Sequence, residues 1–173
     1  MRLKRVFRVG LLSALAIALF CGWNLVSAAS AESAVITVNT KGLFSWAGLA
    51  TISGTVNCPG NGSLTLSGTL KQPVGRRFSI TGSFSKTINC SSAGTGTWSA
   101  QIVPDSGRFF FGPAVLVGSY SGYYTVSVPG YTPYPPAPNC YYYYWDYNTN
   151  AYIFQCYVNG SIGPEELKLR LRD

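Results

Sequence analysis

The sequence predicts an all-β chain folded as an antiparallel β-sandwich. Three observations point there. Apolar and polar residues alternate with period two from Ile52 to Ile102. Gly-, Pro-, Ser- and Asn-rich turns punctuate that alternation at short intervals. Beyond the N-terminal segment, no stretch carries the period of an amphipathic helix.

The N-terminal segment has the layout of a secretion signal. Arg2, Lys4, Arg5 and Arg8 form a basic start, Leu11 to Phe20 an apolar run, and Ala29-Ser30-Ala31 a small-residue cleavage site. The run is too short to span a bilayer comfortably, and no other candidate span follows. Phe20 argues against a lipoprotein signal at Cys21, which needs a small residue before the cysteine. Residues 1–31 therefore read as a signal peptide and residues 32–173 as one domain, secreted or held at the cell surface, with no membrane span after cleavage. The signal also inflates the charge. It holds four of the 13 Lys and Arg residues against 6 Asp and Glu. The basic residues that remain are scattered, with Arg76-Arg77 the one adjacent pair, which removes the main support for a nucleic-acid partner.

Taken in order, Ala34–Asn39 reads as a first strand, and Lys41–Ala47, with Phe44 and Trp46, leads into the next. Ile52, Val56 and Cys58 then alternate with Thr51, Ser53, Thr55 and Asn57; Leu64, Leu66 and Leu70 alternate with Ser and Thr. Phe78, Ile80, Phe84, Ile88 and Cys90 share one register, and Trp98, Ala100 and Ile102 another. One face of each strand is apolar and the other wet, as in antiparallel sheets covered on one side. Turns are expected at Pro59–Gly62, Gln72–Gly75, Ser91–Gly96 and Pro104–Gly107. The last strand is expected over Glu166–Arg172, with Leu167, Leu169 and Leu171 inward; the charges on its outer side suit a sheet edge.

With Cys21 removed, Cys58, Cys90, Cys140 and Cys156 remain. An even count behind a secretion signal reads as two disulfides, with three pairings open. Cys58 and Cys90 both lie inward at strand ends, which favours a bridge between them; it would close about 33 residues and contribute roughly 3–4 kcal/mol. Trp98 shares that register and could pack on it. With 0 His and no Cys-x-x-Cys pair, no metal and no cofactor is expected.

The runs Ile52-Ser53-Gly54-Thr55-Val56-Asn57-Cys58, Leu66-Ser67-Gly68-Thr69-Leu70-Lys71-Gln72, Gly75-Arg76, Cys90, Trp98 and Phe111-Gly112-Pro113-Ala114 resemble small secreted immunoglobulin-like domains of unknown function found in bacteria. The resemblance covers about half the chain and implies an immunoglobulin-like antiparallel β-sandwich without an active site. It departs from true immunoglobulin domains, in which the tryptophan lies between the two cysteines; Trp98 follows both.

Composition changes after Val128. Residues 129–139 form a Pro-rich, extended connection. Residues 140–158 read as an inserted aromatic hairpin turning at Asn148-Thr149-Asn150. Centring the turn on Asn148 pairs Asp146 with Asn150, Tyr144 with Tyr152, Tyr142 with Phe154 and Cys140 with Cys156. A bridge between these opposed cysteines would staple a hairpin that is marginal alone. In that register one face carries Tyr142, Tyr144, Tyr152 and Phe154, and the other Tyr141, Tyr143, Trp145, Tyr147, Ile153 and Tyr157. A sandwich can bury one such face. The second set, Tyr141, Tyr143, Trp145, Tyr147 and Tyr157, is the candidate binding surface, since Tyr and Trp offer rigid contact area with a polar handle. The competing reading is that aromatics simply favour strands and cover the core.

Catalysis finds little material. Without His, Ser/His and Cys/His nucleophile systems are excluded in their usual forms. A glycosidase pair would have to come from Glu32, Asp105, Asp146, Glu165, Glu166 and Asp173. Asp105 and Asp146 both sit where turn capping accounts for them. Asn61-Gly62-Ser63, Asn89-Cys90-Ser91 and Asn159-Gly160-Ser161 would accept glycans only in a eukaryotic secretory host. The expected function is non-enzymatic: a secreted binding or structural module that recognises an extracellular protein, or itself, through the hairpin. The alternative is a carbohydrate-binding module stacking sugars on Trp145 and neighbouring tyrosines, with a glycoside hydrolase behind both.

Overall fold

The computed structural model describes residues 34–130 and 134–172. The signal segment 1–31, Glu32, Asp173 and part of the Pro-rich connection lie outside the described residues. Nine strands are present, and there is no helix among the described residues. They are β1 (Val35–Ile36), β2 (Lys41–Phe44), β3 (Ala50–Cys58), β4 (Asn61–Val74), β5 (Phe78–Cys90), β6 (Gly94–Ile102), β7 (Gly112–Pro129), β8 (Cys140–Asp146) and β9 (Ala151–Leu171). All belong to one hydrogen-bonded sheet. β6 lies along one side of β3; β1 and β2 share its other side. β2 then runs parallel to the end of β9, and β9, β7, β4 and β5 follow in antiparallel order.

The sheet is rolled so that its two ends meet. The Cys58–Cys90 disulfide joins the end of β3 to the end of β5. Phe84 of β5 stacks on Trp98 of β6, with ring centroids 6.3 Å apart and planes 7° from parallel. The Asp105 amide donates to the Thr81 carbonyl at 2.7 Å across the same seam. The interior is filled by the residues that the alternation placed inward, among them Ile52, Val56, Leu64, Leu66, Leu70, Ile102, Leu167 and Leu169. Trp98 faces Gly54 across the β3–β6 ladder, and its indole N–H donates to the Thr37 carbonyl at 3.1 Å. A Cβ on Gly54 would overlap both groups, so only glycine lets the chain before β2 lie against the tryptophan.

Four expectations are corrected. Glu166–Arg172 is not an edge strand: its residues continue β9, which is flanked by β7 on one side and by β2 on the other. Their charges lie on the outer face, where Lys168 sits 4.9 Å from the centre of the Phe111 ring. The hairpin is not an insertion before the last strand, because its second arm is the last strand, continuous from Ala151 to Leu171. Phe78 lies beyond the core and is exposed, although it shares the register of Ile80. Finally, Gln72 does not turn the chain; β4 runs on to Val74 and the turn falls at Gly75, Arg76 and Arg77.

Gln72 is instead the one buried polar side chain among the described residues. Its amide donates to the Phe110 carbonyl at 2.8 Å and accepts from the Phe110 N–H at 3.1 Å. This pair of bonds holds the segment that seats Phe109 in the core. Burial would make either backbone group costly if left unpaired. Gln72→Leu keeps the volume and removes both bonds. It should cost about 2 kcal/mol, seen as a lower urea midpoint at unchanged slope.

Candidate functional site

The aromatic hairpin is built from β8 and the first part of β9. Cys140 pairs with Cys156 in the ladder, and the two are joined by the second disulfide. Cys156 and Phe154 face the core and are fully buried, which anchors the base of the hairpin in the domain. At the other end the chain turns through Tyr147–Asn150, with Asn150 in the left-handed region at φ 50°. Asparagine tolerates that conformation better than most residues. The Asp146 carboxylate caps the turn: it accepts from the Thr149 hydroxyl at 2.8 Å and from the Asn148 N–H at 2.9 Å. These two bonds hold its pKa below the ordinary carboxylate value. Asp105 has a comparable structural use, accepting from the Thr81 hydroxyl at 2.8 Å.

The register has one irregularity that rearranges the faces. Tyr142 pairs with Phe154, but Tyr144 pairs with Ile153, so Tyr143 is the extra residue of a β-bulge. Beyond it every side chain of β8 points opposite to where unbroken pairing would send it. Trp145 therefore lies opposite Tyr152, edge-on at 4.5 Å, in a cluster with Tyr142 and Phe154. Trp145 is half-buried there. Tyr144 moves to the other side and meets Tyr143 edge-on at 5.1 Å.

The five residues expected on one surface are thus divided. Tyr141 and Tyr157 share the outer face, with ring centroids 6.0 Å apart. Tyr143 projects from the bulge and Tyr147 from the turn, while Trp145 is on the opposite side. Tyr141, Tyr143, Tyr147 and Tyr157 are exposed by 62%, 59%, 88% and 51%. Tyr142 and Tyr144 are also about half exposed, so the hairpin offers aromatic surface on both sides. No family model, curated protein or solved structure matches the chain.

The residue-by-residue reading missed a neighbour of this surface. Tyr123 of β7 pairs directly with Tyr157, so the outer tyrosines continue across the strand boundary. On its far side Tyr123 borders an open cavity of about 450 Å³, also lined by Asn61, Ser63, Asn89, Ser91 and Thr125. The alternation within β7 marks Tyr123 as outward, but only the pairing of β7 with β9 and β4 places it between Tyr157 and Ser63.

Two consequences can be measured. Replacing Cys140 and Cys156 together by Ser should cost about 3 kcal/mol by the loop-closure argument and broaden the amide resonances of 141–150 in NMR spectra. For Asp146, the native pKa is depressed, so its contribution is complete above the ordinary carboxylate pKa and is lost as pH falls through the lower native value. The stability difference between wild type and Asp146→Ala should therefore stay level at neutral pH and shrink on acidification below the ordinary carboxylate range. A difference independent of pH throughout would remove the carboxylate from the turn.

Proposed function

We propose that the chain is a secreted, non-enzymatic binding module that recognises a protein partner, or a second copy of itself, through the β8–β9 hairpin. The observation that carries this reading is the set of exposed tyrosines 141, 142, 143, 144, 147 and 157 on a hairpin stapled at its base by Cys140–Cys156. Tyrosine gives large contact area with few rotatable bonds, so little entropy is lost on binding. The staple and the buried Phe154 reduce that loss further by holding the strands in place before a partner arrives. Two intramolecular disulfides are compatible with an extracellular location. No helix among the described residues is long and apolar enough to cross a membrane. The rolled sheet would serve as an immunoglobulin-like domain does, as a disulfide-pinned scaffold that displays loops and hairpins.

Sugar stacking on Trp145 has weaker support, because Tyr152 stands edge-on against that indole on the half-buried side of the hairpin. A hydrolase built on Asp105 or Asp146 would have to give up the bond that Asp105 accepts from Thr81 across the seam or those that Asp146 accepts within its turn.

The test is sedimentation velocity of residues 32–173 over a wide concentration range, alongside capture from an extracellular proteome. Self-association or specific capture should be present in wild type and lost in Tyr143→Ala/Tyr147→Ala, whose melting temperature should stay close to that of wild type because both side chains are exposed. A clean monomer that captures nothing would sink the proposal.

A further inference from the structure

The outer face of β5, β4, β7 and β9 shows a chemistry separate from that of the hairpin tip. From Gly118 of β7 to the Cys90 end of β5 the four strands pair in continuous register, so outward residues there fall into rows that cross the sheet. One row is Asn89, Ser63, Tyr123 and Tyr157, each paired with the next. The two rows beside it, through Thr65 and through Ser67, carry only Ser, Thr and Asn at all eight positions. No Lys, Arg, Asp or Glu occurs in the three rows. Charged residues on outward strand positions are the usual way to keep a sheet face soluble and solitary. Here they are replaced by hydroxyls and amides, and the cavity of about 450 Å³ opens at the end of the first row.

We propose that this face binds an uncharged polysaccharide, with the cavity between Asn61, Ser63, Asn89, Ser91 and Tyr123 seating one sugar and Tyr157 extending the contact along the chain of sugars. Charge decides against the rivals. An anionic or cationic polymer would find no counter-charge in the rows, and an apolar ligand would leave hydroxyls and amides unpaired. A neutral sugar matches both kinds of surface: its hydroxyls exchange hydrogen bonds with Asn and Ser, and its C–H face lies on a tyrosine ring. The floor of the cavity is preorganised. Cys90 lines it and is tied to Cys58, and the Thr125 hydroxyl donates to the Asn61 carbonyl at 3.1 Å. The site uses Tyr123 and Asn89, which the hairpin proposal does not, so either reading can fail alone.

The experiment is affinity electrophoresis of the oxidised domain, residues 32–173, in native gels containing soluble neutral polysaccharides: hydroxyethylcellulose, galactomannan, xylan, mixed-linkage glucan and glycol chitin. Gels with pectate and heparin run in parallel, and hits are quantified by calorimetry with the matching oligosaccharide. The protein is made in a bacterial periplasm, so that Asn61 and Asn89 remain unmodified. Retardation by at least one neutral polymer is expected, unchanged at high salt because no ion pair is involved. Tyr123→Ala and Asn89→Ala should each weaken it about tenfold, the scale of one lost hydrogen bond or stacking contact, while Tyr143→Ala/Tyr147→Ala should leave it intact. Both probe residues are exposed, so the variants are expected to fold, which circular dichroism would check. Retardation in no neutral gel, retardation confined to the anionic polymers and abolished by salt, or binding indifferent to both Tyr123→Ala and Asn89→Ala would overturn the proposal.

Discussion

The Cys58–Cys90 bridge and the Phe84–Trp98 stack close a sheet whose hydrogen bonds alone leave it open. β5 and β6 are the two ends of the ladder, and each has a strand partner on one side. What brings them together is one disulfide at the rim, one pair of stacked rings deeper in, and two hydrogen bonds between Asp105 and Thr81, one through the backbone and one through the side chains. Rolling the sheet buries its inward registers, and the outward positions of β4, β5 and β7 are mostly exposed. The tryptophan also ties down the chain before β2 through Thr37, which makes it a junction of three segments.

β9 is the second organising element. One edge of it pairs with β7 along almost its whole length; the other is shared between β8 at its start and β2 at its end. The aromatic hairpin is consequently not an appendage. Its second arm is the central strand of the domain, and its tyrosines are held by the same ladder that organises the core. The bulge at Tyr143 then distributes those tyrosines to both sides, leaving Trp145 packed and Tyr143 projecting. A bulge also interrupts the free edge of β8, which discourages indiscriminate strand addition while leaving side chains exposed for specific contact.

Much of the fold was legible locally. Period two identified the inward registers around Ile52, Leu66, Phe84 and Ile102, and those residues are buried or nearly so. Cys140 does lie opposite Cys156 as expected, but the turn alone does not put it there: Asp146 pairs with Ala151 rather than Asn150, and the extra residue at Tyr143 restores the register toward the cysteines. The candidate site was legible as composition but not as geometry. Tyr141, Tyr143, Tyr147 and Tyr157 are exposed as anticipated, whereas Trp145 is not on their side. A bulge adds one residue to one strand, and nothing in a run of four tyrosines marks which residue is the extra one.

The sequence by itself determined the alternating strands between Thr51 and Ile102, the turn ending at Asn150 and the aromatic character of the hairpin, since each depends on neighbours within a few residues; the long strand Gly112–Pro129 was not among them. Tertiary structure decided what depends on segments far apart in the chain. Gln72 reads as a turn residue until Phe110 is placed against it. Leu167 to Leu171 read as an edge until β2 pairs in parallel alongside. The uncharged outer rows exist only because Asn89, Ser63, Tyr123 and Tyr157, scattered through the sequence, are brought abreast by three separate ladders. Alternation states which way a side chain points; only strand order and register state what stands beside it.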